Sequence, residues 1–172
     1  LAIVLAWLLG VPLTAHLQGS VTGLLQGLLA TVPLVLGLLL LDRWPVDGFR
    51  FLQELMRESI LPLFRDCSLE ALLLISLAAG VGEELLFRGV AQLGIKQTSG
   101  STWLAVAVAS VLFGLAHPLT KTYALLAVLI GIYLGVLLVL TGNLLVPIVA
   151  HAAYDFFALV YLLSRVRDDR TT

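Results

Sequence analysis

Six side chains that can exchange protons or hold charge stand within otherwise apolar segments: Glu83, Glu84, Arg88, His117, His151 and Asp155. Their spacing sorts them. Glu84 and Arg88 are four positions apart, on one face of a helix, and can form an intrahelical ion pair. Glu83 is rotated about 100° from Glu84 by the 3.6-residue turn and is left without that cation. A buried carboxylate lacking its own counter-ion is suited to general acid or base work. His151 and Asp155 repeat the four-residue spacing, so the aspartate can orient the imidazole or itself face a substrate. Phe113 and His117 repeat it again, with an aromatic wall one turn from the histidine.

Three chemistries use such residues. In hydrolysis a carboxylate and an imidazole activate water while another donor stabilises the oxyanion. In a metal centre Glu83, His117 and His151 are the candidate ligands, with a fourth position open to water. No HExxH helix is present, so the usual zincin geometry is absent. An ion or proton pathway also employs intramembrane Glu, Asp and His. Cys67 is the single cysteine, which excludes internal disulfides and thiolate metal clusters and reads as a small inert hydrophobe.

The elements that carry these residues belong in a membrane. Of 172 residues, 60% are hydrophobic and 12% charged, with a mean hydropathy of +1.05. A soluble domain carries about twice that share of charge. Apolar segments follow at about 1–17, 20–41, 68–91, 102–120, 122–141 and 143–164, each near the roughly 17–25 residues that cross a bilayer. The expected fold is an all-α polytopic bundle of about six spans, one domain over 1–172. A charged side chain in mid-membrane costs about 2.5–3.5 kcal/mol on insertion scales, so the six polar residues should face the bundle interior and mark function. Residues 46–66 differ: Leu52, Leu55, Met56, Ile60, Leu63 and Phe64 recur at helical spacing, opposite Arg50, Gln53, Glu54, Arg57 and Glu58. That pattern predicts an amphipathic helix in the membrane interface, anchored by Trp44. Gly23-x-x-x-Gly27 and Gly131-x-x-x-Gly135 read as close-packing devices. The chain begins at Leu1 rather than Met, as expected of a fragment or processed form, and lacks the charged n-region of a signal peptide.

Six spans collect Arg43, Arg50, Arg57, Arg65, Lys121, Arg165, Arg167 and Arg170 on one side and Lys96 on the other. This bias predicts a cytoplasmic C-terminus. With these boundaries Glu83 lies ~22 Å from the cytoplasmic start of its helix, at ~1.5 Å per residue, whereas His117 falls near a cytoplasmic end. Convergence requires a shorter, tilted or kinked fourth helix, or shifted boundaries.

Glu83-Glu84-Leu-Leu-Phe-Arg88, Phe113-Gly-Leu-Ala-His117 and His151-Ala-Ala-Tyr-Asp155 match, in order, the EExxxR, FxxxH and HxxxN/D motifs. The chain thus resembles the CAAX protease and bacteriocin-processing (Abi) family of intramembrane proteases, which includes the type II CAAX prenyl endopeptidase. The resemblance covers about 68–160, within a protease-like core of about 68–164. It implies an intramembrane endopeptidase, working through a glutamate alone or with a divalent metal such as zinc, in which Glu83 and His117 activate water. By the same resemblance His151 and Asp155 hold the oxyanion, and Glu84 with Arg88 shapes the site. Some members carry Asn where this chain has Asp155. An ionised Asp cannot donate to an oxyanion, so Asp155 must be protonated or act by orienting His151. The implied partners are the lipid bilayer and a peptide or protein substrate, lipidated in the CAAX case; nothing in the composition calls for nucleic acid. The alternative is a non-catalytic membrane scaffold or immunity-type protein that keeps the fold.

Overall fold

The computed structural model describes residues 1–43 and 47–168; Trp44, Arg170 and the side chain of Arg167 lie outside the described residues. The chain is a helical bundle with no strand among the described residues. Helices α1 (Ala2–Leu8) and α2 (Leu13–His16) precede α3 (Val21–Arg43), and α4 (Asp47–Leu55) continues through a π turn at Met56–Ile60 into a 3-10 turn at Leu61–Phe64. A single helical run follows: α5 (Leu69–Glu84), a π segment (Leu85–Gln92) and α6 (Leu93–Ser99). Helices α7 (Thr102–Leu115), α8 (Lys121–Thr141) and α9 (Leu145–Asp168) complete the bundle. By length and composition α3, α8 and α9 can cross a membrane, and α7 is a shorter apolar helix. The run from Leu69 to Ser99 exceeds the length that a span needs.

The first expected span takes a different form, two helices of seven and four residues. Gly10 adopts φ 65°, the left-handed conformation that ends a helix, and Val11 N–H donates back to Ala6 O at 2.9 Å. Pro12 then offers no N–H to continue. The segment is tied down at its far end. Asn143 accepts from Gln18 N–H at 3.0 Å and donates to Gln18 O at 2.9 Å, while Leu144 N–H reaches His16 O at 2.6 Å. Ala6 and Val11 are buried with Val90, Leu93, Leu138, Leu144 and Ile148. The N-terminal segment therefore covers the Gly142 end of the bundle.

Helix α9 is central, packing along α3 and α5 and also against α8. Glycines set how closely the first two approach. A Cβ on Gly27 would meet Val149 Cβ at 2.5 Å and Val146 O at 2.9 Å, and one on Gly80 would meet Ala152 N at 2.9 Å. Small residues at such contacts let backbones approach where lipid supplies no hydrophobic drive. The second glycine pair has an added use. Arg88 Nη2 donates to Gly131 O at 2.9 Å and Gln92 Nε2 to Gly135 O at 3.0 Å. Two rungs four residues apart on the π segment meet two carbonyls four residues apart on α8.

The segment 47–64 turns its two sides to different surroundings. Leu52 and Leu61 are buried, whereas Arg50, Glu54 and Glu58 are exposed. Gln53 Nε2 donates to Asp42 Oδ1 at 3.2 Å, and Tyr161 OH to Asp42 Oδ2 at 2.8 Å, joining this segment to the ends of α3 and α9.

Candidate active site

The depth conflict over His117 is resolved by where the helices end. The run carrying Glu83 continues to Ser99 instead of stopping near 91, and α7 has only 14 residues. Glu83 and His117 each lie 17 positions from Gly100, on opposite arms of a helical hairpin. Gly100, at φ 70°, closes the first arm, and Ser101 Oγ caps the second by accepting from Leu104 N–H. Equal arm lengths bring the two residues to one level, with Glu83 Oε2 3.5 Å from His117 Nε2.

His117 has a defined tautomer. Its Nδ1 lies 2.7 Å from Phe113 O, a group that can only accept, so Nδ1 carries hydrogen and Nε2 faces Glu83. Glu83 Oε2 is buried and makes no hydrogen bond among the described residues. An imidazole nitrogen and an under-bonded carboxylate oxygen thus share one small space.

The other motif residues form a second cluster. Glu84 Oε1 accepts from Arg88 Nη1 at 2.9 Å and from His151 Nδ1 at 2.8 Å; Glu84 and Arg88 are 0% and 1% exposed. His151 therefore turns Nε2 the other way, to 3.4 Å from Asp155 Oδ2. The clusters meet at Phe113. Its ring centroid lies 4.5 Å from that of His117 and 5.8 Å from that of His151, and Arg88 Cζ stacks 4.5 Å above it. The π segment begins directly after Glu84, a common position for such segments at functional sites.

Glu83, Phe113, His117, His151 and Asp155 line one cavity of about 400 Å³. It runs from this polar end along an apolar wall that includes Leu38, Leu41, Leu52, Met56, Leu159 and Leu162. Volume and lining suit a small or extended ligand with a large apolar part. Further polar side chains line it that the spacing argument did not single out, Ser76, Tyr123 and Tyr154 among them. Tyr154 stands beside Asp155 within the third motif, and Tyr123 follows the helix-capping Thr120 by three positions. Neither placement carries a sequence signal that separates it from an ordinary membrane tyrosine.

A metal centre needs three donors converging on one point. Among the described residues no group of three or more His, Cys, Asp or Glu side chains is arranged to hold an ion. The cause is visible in the candidates Glu83, His117 and His151. Both ring nitrogens of His151 face carboxylates, which leaves Glu83 and His117 Nε2 as two donors without a third among the described residues. The donors present therefore do not fit a bound metal.

Residues 67–157, more than half of the chain, match the model of the family described as Type II CAAX prenyl endopeptidase Rce1-like. No curated protein and no solved structure matches.

Proposed function

We propose that this chain, which belongs to the type II CAAX prenyl endopeptidase Rce1-like family, is an integral membrane endopeptidase in which Glu83 and His117 activate water against a peptide bond of a membrane-associated substrate. The observation that carries the reading is the contact of Glu83 Oε2 with His117 Nε2, 3.5 Å apart at the polar end of the cavity. A water bridging these atoms can lose a proton to Glu83 as its oxygen attacks the scissile carbonyl. The carbonyl π pair moves to oxygen. When the tetrahedral intermediate collapses, the C–N bond breaks and the proton passes through Glu83 or His117 to the leaving nitrogen. No step requires a metal.

His151 is suited to the oxyanion. Glu84 accepts from Nδ1 and Asp155 faces Nε2, so the ring is held between two carboxylates as an imidazolium, whose Nε2–H side opens to the cavity. Glu84, itself held by Arg88, fixes that imidazole through its hydrogen bond to Nδ1. The protease core is about 68–164, and the segment 46–66 lies in the interface, where Phe51 and Leu63, 61% and 73% exposed, would enter the lipid. Chain order gathers the basic residues at the end shared by Arg43, Lys121 and Arg165, which makes that end, and the C-terminus, cytoplasmic. This holds whether or not the first segment crosses.

The test compares wild type with Glu83→Gln, both reconstituted in lipid, on a mixed set of prenylated CAAX peptides and unmodified ones. Cleavage by the wild type that disappears in the variant is the expected result, with prenylated peptides preferred. Equal background from both proteins would overturn the reading in favour of a non-catalytic scaffold. A chelator should leave the wild-type rate unchanged; loss restored by zinc would overturn the metal-independent mechanism.

A further inference from the structure

An oxyanion generated in this cavity needs more than one donor, because removing a single donor from such a site costs about 10²–10³ in rate. His151 Nε2 supplies one. Asp155 supplies none while ionised, since a carboxylate only accepts. Its Oδ2 lies 3.4 Å from the same Nε2 and competes for that hydrogen. The polar end of the cavity therefore lacks a second donor among the motif residues that line it, Glu83 and His117 being engaged with the water.

Tyr123 has the properties that the vacancy requires. It stands in the first turn of α8, held there by its own N–H donating to Thr120 Oγ1 at 3.0 Å. Its ring meets His117 edge to face, with centroids 6.0 Å apart at 62°. It lines the cavity together with Glu83, His117, His151 and Asp155. Its hydroxyl makes no hydrogen bond among the described residues. Tyr161, by contrast, spends its hydroxyl on Asp42, and Tyr133 spends its own on Ala30 O. A phenol ionises near pH 10, so it is a donor at neutral pH.

We propose that the Tyr123 hydroxyl is the second oxyanion donor of the site, in the place that the carboxylate of Asp155 cannot fill. The inference rests on the hydrolytic reading above. As water attacks, the new C–O bond forms and the carbonyl oxygen takes up the π pair; Tyr123 O–H and His151 N–H donate to that oxygen and keep their protons. Collapse returns the pair and expels the amine, which takes the proton first removed from water. Tyr123 is unchanged over the cycle.

The experiment measures kcat and KM of wild type, Tyr123→Phe and Glu83→Gln in lipid vesicles with a prenylated CAAX peptide. It also measures inhibition by the matching peptide phosphinate, whose tetrahedral oxygen stands for the oxyanion. Tyr123→Phe is expected to lower kcat by about 10²-fold, to leave KM within about twofold, and to weaken the phosphinate by the same factor as kcat. A purely structural tyrosine would weaken peptide and phosphinate alike. Wild-type cleavage with an unchanged Tyr123→Phe kcat, or a loss confined to KM, overturns the assignment and leaves the hydrolytic reading standing. Equal background from wild type and Glu83→Gln overturns both. Should Tyr123→Phe fail to fold, replacement of Tyr123 by 3-fluorotyrosine keeps the ring; the assignment then requires a lower pH limit for loss of kcat, and an unshifted limit overturns it.

Discussion

Arg88 donates to the carbonyl oxygen of Gly131 at 2.9 Å, 43 residues away in the chain, while its other terminal nitrogen holds Glu84 at 2.9 Å. One guanidinium therefore joins α8 to the helix that bears the site. Arg88→Ala strands the Glu84 carboxylate at 0% exposure with only His151 for a partner. Breaking a buried pair by removing one side costs about 3–5 kcal/mol. Thermal unfolding in detergent should show a large loss for Arg88→Ala. A wild-type melting curve from that variant would show that the pair is not structural.

Glu83 stands apart from that scaffold, and the consequence is opposite. Its Oε2 is buried without a hydrogen bond among the described residues, so Glu83→Gln should leave stability unchanged or raise it. Activity should fall by about 10²–10⁴, the contribution of a positioned acid or base. His117→Gln should do the same, and the double variant should be no slower than either alone, because the two act on one water. Additive losses measured in the same vesicle assay would separate their roles.

The glycine stripe of α3 makes a contrast within one helix. An added Cβ at Gly27 would meet Val149 Cβ at 2.5 Å and the Val146 carbonyl at 2.9 Å, whereas one at Gly37 meets nothing within 4 Å. Gly27→Ala should cost about 1–3 kcal/mol, as overpacking does. Gly37→Ala should be neutral or slightly stabilising, since alanine is the better helix former. Melting temperatures of the two proteins decide this, and equal values would mean that α3 moves off α9 at little cost.

The pairings within each motif were legible because they follow from helix period alone: Glu84 with Arg88, and His151 with Asp155. The separation of Glu83 from Glu84 followed from the same geometry. What the sequence hid were relationships across helices. That His151 bridges Glu84 and Asp155 depends on how α9 docks on α5, which Gly80 controls by admitting the Ala152 backbone. The first apolar run is two short helices rather than one span because Gly10 and Pro12 supply a helix stop in mid-segment. His117 comes level with Glu83 through a shorter fourth helix and shifted boundaries, as convergence required, the larger shift lying in the helix of Glu83. Its last turns, Ile95 to Ser99, are polar enough to look like a loop, yet the helix runs on to Gly100, whose left-handed conformation ends it.

The altered first segment changes what a topology experiment should find at the N-terminal end, while the position of the charges is untouched. Lys121 opens α8 at the end where Arg43 and Arg165 lie, and Lys96 sits on α6 near the opposite turn; both are exposed. In a Cys67→Ser background, Lys121→Cys should react with a membrane-impermeant maleimide only when the cytoplasmic face is open to the reagent. Lys96→Cys should react from the other face. Ala15→Cys should follow Lys96, because His16 and Gln18 are bonded to the Gly142–Leu144 turn. Labelling of Lys96→Cys and Lys121→Cys from the same side would break the hairpin about Gly100 that brings Glu83 level with His117. The site as described would fall with it.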